Sequence, residues 1–146
     1  MAKSFHFTLE RVLEYRRRME DQAVLALSKA QAAYVAQAAK IDDLRSKLND
    51  MAAELAACRI TAAELRLWIA YRDGLDSDLR HAEALLLQLA RELSVKRQEA
   101  VRKRKERKIL EELKEKKRIL HVKTEDYNEQ KEFDELSTIR RRPEAV

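Results

Sequence analysis

The sequence predicts an all-α protein of two long helices, forming an antiparallel coiled-coil hairpin with an overhanging C-terminal helix. Three observations lead there. Turn-forming residues are nearly missing: the 146 residues include one Gly and one Pro, where average usage would supply about ten and about seven. A fold with several turns needs such residues for their special backbone angles. Charged side chains make up 39% of the chain and hydrophobic ones 45%, largely Ala and Leu, with aromatics at only 5%; this is the balance of long or coiled helices. Apolar residues also recur with a spacing of four, then three.

The first helix is expected over about 5–58. Its stripe runs Leu9, Leu13, Arg16, Glu20, Ala23, Leu27, Ala30, Tyr34, Gln37, Ile41, Leu44, Leu48, Met51, Leu55 and Cys58, interrupted only by Arg16, Glu20 and Gln37. A seven-residue repeat is the signature of a left-handed coiled-coil seam. Cys58, at a seam position, reads as a small core hydrophobe. A second stripe, Leu75, Leu79, Ala82, Leu86, Leu89 and Leu93, is out of phase with the first, so a break lies between them.

Two sites compete for that break. Gly74 is the only glycine, while Thr61-Ala62-Ala63-Glu64 fits a capping box, in which hydroxyl and carboxylate satisfy each other's orphan amides. A turn at about 58–62 makes facing residue numbers sum to about 120, as an antiparallel pair requires. Leu27 to Leu44 then meet the stripe from Leu93 back towards Leu75, and Arg16 and Glu20 meet the apolar-poor stretch Lys96 to Arg107. A turn at Gly74 sets that basic stretch against Ile41, Leu44, Leu48 and Met51, which favours Thr61. Gly74 then lies inside the second helix, as a tolerated weakness or a bend. Trp68, Tyr71 and Leu75 either close the hairpin tip or form a partner patch. The second helix is expected over about 62–140, with a short disordered tail at 141–146, all in one elongated domain covering 1–146. From about residue 117 it lacks a facing helix, yet carries Leu120, Tyr127, Phe133, Leu136 and Ile139. Such an overhang frays or is covered by a partner.

Charge is unevenly placed. Residues 91–118 carry +7, while the whole chain carries +5. Within this segment Lys103, Arg104, Arg107 and Lys108 are candidates for steering the chain onto an acidic surface. A nucleic-acid-binding coiled coil is the alternative from another class. It is disfavoured because glutamates interrupt the basic run, base-reading Asn residues are absent from it, and the best repeat precedes it.

Other classes fall away. No apolar run approaches the ~18 residues of a membrane span, and the first residues show no signal-peptide pattern. The single cysteine suits a reducing cytoplasm. There is no Gly-rich phosphate loop, and His6, His81 and His121 are far apart. The expectation is a non-enzymatic cytoplasmic protein with no catalytic, cofactor-binding or metal-binding residue.

The opening Phe5-x-Phe7-x-Leu9-x2-Val12-Leu13-x-Tyr15-Arg16, with Glu20 and Ala23 following, resembles the start of the flagellar export protein FliJ family. Thr61-Ala62-Ala63-Glu64-Leu65 with Tyr71-x3-Leu75-x3-Leu79 resembles that family's hairpin return. Arg107-Lys108-x-Leu110-Glu111-x-Leu113-Lys114-Glu115-Lys116, then Glu129-Gln130-Lys131 and Asp134-Glu135, resemble its end. Gly74 and Asp76-Ser77-Asp78 depart from the pattern. The resemblance implies a component of the type III flagellar export apparatus, similar in shape to the antiparallel coiled coil of a rotary ATPase central stalk. It implies docking into the hexameric export ATPase, contact with the cytoplasmic region of the export gate, and handling of substrate chaperones. Membrane association would be peripheral, at the cytoplasmic face of the inner membrane and through partners only, with no specific nucleic acid bound. The ATPase side would comprise Phe5, Phe7, Lys103, Arg104, Arg107, Lys108, Glu129, Gln130, Lys131, Phe133, Asp134, Glu135 and Leu136; Tyr71 and Leu75 would lie on the gate side. The stalk of a virulence-type secretion ATPase is the alternative within this class.

Spin labels at Leu27 and Leu93 test the turn. A Thr61 turn places them within ~15 Å, a helix-pair spacing plus linkers, whereas a Gly74 turn brings labels at Leu48 and Ala100 together instead.

Overall fold

The structure is a computed structural model that describes residues 3–141. It is all-helical, with α1 at Glu10–Ala57 (48 residues) and α2 at Ala62–Arg140 (79 residues), and no strand among the described residues. The connector is Cys58–Thr61. Thr61 Oγ1 accepts from the Glu64 backbone N–H at 3.3 Å, and Glu64 Oε2 accepts from the Thr61 N–H at 3.0 Å. This reciprocal capping box starts α2. Gly74 is an ordinary helical residue, without a positive φ.

Three expectations need correcting. α1 begins at Glu10 and not near residue 5. Phe7, only 3% exposed, is buried against the other helix, and its carbonyl accepts from the Glu10 N–H at 3.2 Å in a turn. Burying that ring sets the path of the preceding chain, and the helical ladder then opens with Leu13 N–H to Leu9 O at 2.9 Å. Cys58 is exposed and outside the core. Leu55 is exposed too, so the α1 seam ends at Met51. Opposite it, from residue 61 to 74, Trp68 alone is half-buried, and Leu65 and Ile69 stay 39% and 43% exposed, so Leu55 is only partly covered. Arg141 closes the last turn onto Thr138 O at 3.3 Å; the rest of the expected tail, 142–146, lies outside the described residues.

The chain groups into two compact units. In the unit Asp21–Arg102, the buried apolar side chains are Ile41, Met51, Leu75 and Leu93, all seam positions. Every seam residue from Ala23 to Met51 is buried or half-buried, as are Leu79, Ala82, Leu86 and Leu89. Gln37, which interrupts the repeat, is also buried, and its Nε2 donates to the Ala82 carbonyl at 3.0 Å. A buried amide with a partner avoids the cost of an unsatisfied donor. Arg45 pairs with Glu83 at 2.9 Å on the flank.

The other unit joins the chain up to Glu20 with the chain from Lys103 onward. Phe7 and Leu13, the latter fully buried, are its buried apolar side chains among the described residues. Arg16 meets Glu106, Arg17 meets Glu111 and Glu10 meets Lys114.

A Cβ built on Gly74 meets nothing within 4 Å. Gly74→Ala is therefore expected to stabilise the protein by about 0.5–1 kcal/mol through helix propensity alone. Thermal unfolding by circular dichroism checks this, and an unchanged or lower midpoint would show that the glycine serves a bend.

Candidate docking surfaces

The 4-3 spacing does not stop at Leu93. Continued, it passes through Lys96, Ala100, Lys103, Arg107, Leu110 and Lys114, all half-buried. The α2 seam thus runs on into the basic segment with polar residues in core positions. Facing them are the two polar interruptions of α1. Arg16 Nη1 donates to Glu106 Oε2 at 2.7 Å. Arg107 donates through Nε to Glu20 Oε2 and through Nη1 to Glu111 Oε2, the latter at 2.5 Å. The Glu20 and Arg107 side chains are only 16% and 19% exposed. The hydrogen bond that Arg107 donates to Glu20 raises the Arg107 pKa above its ordinary value, helped by the charge of Glu111.

This geometry divides the four basic candidates. Lys103 lies 3.7 Å from Glu106 and is mostly covered, and Arg107 is held by two carboxylates. Arg104 and Lys108 are exposed and form no ion pair among the described residues. Only these two of the four present free charge to a partner. Extending the apolar period into the polar residues reveals the division.

The N-terminal aromatics are likewise engaged. Phe5 packs edge-on against His121, with ring centroids 5.7 Å apart at 87°. Lys117 Nζ sits 5.9 Å from the centre of the Phe7 ring, within cation–π range. Contacts to α2 therefore reach His121, past the point near 117 where the sequence places the last facing residue. The non-helical Phe5–Leu9 segment supplies the extra reach.

Beyond His121 the picture changes. From residue 122 to 141 all side chains are exposed except the half-buried Glu125. Glu129, Gln130, Lys131, Asp134 and Glu135 lie here, with Phe133 at 69% exposure and Leu136 and Ile139 close behind. Phe133 and Leu136 are one turn apart, so they share a face. Further along the helix towards its start, the arrangement is mixed. Leu75 is a buried seam residue, whereas Tyr71 and Leu67 are exposed. Of the gate-side pair, Tyr71 alone is available to a partner. Beside it lies an apolar groove of about 230 Å³ lined by Leu48, Met51, Leu55, Trp68, Ile69 and Arg72 among others.

Among the described residues no His, Cys, Asp or Glu cluster could hold a metal, and no helix is long and apolar enough to cross a membrane. Two long helices with covered residues at 4-3 spacing in each unit fit a coiled coil. The profile of the family described as Flagellar FliJ protein matches residues 5–144. The chain belongs to this flagellar FliJ protein family, whose members are components of the flagellar export apparatus. No curated protein and no solved structure matches it.

The two kinds of phenylalanine respond differently to truncation. Phe7→Ala removes a buried ring and is expected to cost about 3 kcal/mol. Phe133→Ala removes an exposed one and should leave stability within about 0.5 kcal/mol. Urea unfolding of each variant measures both values; equal losses would place Phe133 in the folded core.

Proposed function

We propose that this protein is a non-enzymatic stalk or adaptor of the flagellar type III export apparatus. Its two helices pair antiparallel as a coiled-coil hairpin with an overhanging end of α2. The hairpin docks by its open end into the hexameric export ATPase and promotes its activity, and links that enzyme to the export gate and to substrate chaperones. It works at the cytoplasmic face of the inner membrane, held there through its partners. The family match supports the apparatus. The short connector between the helices, and the Glu10–Lys114 and Glu20–Arg107 pairs, whose residue numbers run in opposite directions, support the antiparallel arrangement.

The observation that carries the docking assignment is the exposed Phe133, Leu136 and Ile139 on a stretch of α2 with no facing residue. Apolar side chains left on a single helix in water favour a partner that buries them. Aromatic and aliphatic anchors of this kind dominate interface energies. Arg104 and Lys108, which form no ion pair among the described residues, add encounter rate and orientation towards an acidic partner surface. Tyr71, Leu67 and the neighbouring groove form the surface we assign to the export gate. The engagement of Lys103 and Arg107 within the protein argues against the nucleic-acid alternative, which needs that run of charge to face phosphate.

Deleting residues 124–146 should leave helicity per remaining residue and the unfolding midpoint unchanged while abolishing stimulation of the export ATPase. Phe133→Ala with Leu136→Ala should reproduce most of that loss. A truncated chain that loses helicity well beyond the deleted residues would show that the arm stabilises the fold instead.

A further inference from the structure

The two compact units are held by different forces. In Asp21–Arg102 the buried side chains are four apolar seam residues and one amide, with Arg45–Glu83 joining the helices. In the unit from Lys103 onward, Phe7 and Leu13 are the buried apolar residues. There the helices are joined by Arg16–Glu106 at 2.7 Å, Arg17–Glu111 at 3.4 Å, Glu10–Lys114 at 2.8 Å and Glu20–Arg107.

These carboxylates have a second option. Glu106 also lies 3.7 Å from Lys103, and Glu111 lies 2.5 Å from Arg107, each pair on α2 alone. Separating the helices therefore strands neither carboxylate, because both keep a partner in their own helix. Arg16, Arg17 and Glu20 pass to water. Breaking a buried ion pair is costly when it leaves one charge uncompensated in the interior. Arg16–Glu106, Arg17–Glu111 and Glu10–Lys114 are more exposed and avoid most of that cost, and at the more buried Glu20–Arg107 pair Arg107 keeps Glu111 when Glu20 leaves. An apolar seam has no such alternative, since opening it exposes the whole area to water.

We propose that Glu10, Arg16, Arg17 and Glu20 with Glu106, Arg107, Glu111 and Lys114 form an ionic clasp that lets the segment up to Glu20 release from α2, exposing Phe7 and Leu13, under conditions in which Asp21–Arg102 stays paired. The clasp makes pairing of this segment responsive to charge. Salt, or a partner presenting carboxylates to Arg16, Arg17 and Arg107, competes for the same groups. The charged groups facing one another across this station are Glu10, Arg16, Arg17 and Glu20 on α1, and Lys103, Glu106, Arg107, Glu111 and Lys114 on α2.

Amide hydrogen exchange of the full chain tests this. Between about 0.05 M and about 1 M NaCl the Debye length shrinks to about 3 Å. Amides of Leu13–Glu20 are then expected to exchange about tenfold faster, while those of Ile41–Met51 change less than about twofold. Glu20→Gln keeps the shape and removes one charge, and should give about the same acceleration at low salt, confined to the first segment. Glu20→Leu with Arg107→Leu replaces the pair by continuous apolar seam, and should slow exchange of Leu13–Glu20 below the native rate and shrink its salt response. Equal salt responses in the two segments, no acceleration in Glu20→Gln, or faster exchange in the double leucine variant would each overturn the clasp.

Discussion

A pair of α-helices has only one shared stripe in which to bury side chains, and in each compact unit of this protein the buried residues keep to that stripe. Three or four helices can hide apolar residues on several faces; two cannot. The seam residues of α1 from Leu13 to Met51 are all at least half-buried, while large apolar residues on other faces, such as Leu25, Val35 and Leu87, stay in water. Seam composition therefore decides where the pairing is firm. Leucine, isoleucine and methionine do this work in Asp21–Arg102, and arginine and glutamate take over near the chain start.

Polar residues in a seam are tolerated when each finds a partner of matching chemistry. Gln37 reaches a backbone carbonyl of α2, and Glu20 and Arg107 reach each other. Among the described residues no buried side-chain nitrogen or oxygen lacks a partner. Such pairs add little net stability compared with leucine, but they disfavour any alignment that sets a charge against an apolar residue. The polar stretch of α1 and the polar stretch of α2 fit only when they face each other.

Features governed by local chemistry were legible in the sequence. Thr61 and Glu64 satisfy each other's amides across three residues, so the capping box could be read without tertiary information. The 4-3 stripes of Leu, Ile and Ala likewise marked which faces are covered. Features set by contacts between distant residues were not legible. Phe7 continues an apolar pattern, yet burial under Lys117 holds it before the helix. Cys58 continues the spacing, but it lies in the connector after α1 ends at Ala57 and is exposed. Composition alone marks Lys103 and Arg107 as surface charge, because it ignores register. Counting fours and threes past Leu93 places both in the seam. The candidate anchors split the same way: Phe133 and Leu136 are exposed, whereas Leu75 and Phe7 are buried.

The central claim is that the seam runs on through the basic segment, so that Leu13 faces Leu110 across it. Cysteines at these two positions, in a chain with Cys58→Ser, test it most directly through reaction with a short bis-maleimide at low protein concentration. The account predicts an intramolecular crosslink at Leu13→Cys/Leu110→Cys that is strongly reduced when Val12→Cys, on the exposed face, replaces the first cysteine. Equal crosslinking from Val12 and Leu13, or none from either in a chain that keeps its helicity, would contradict it.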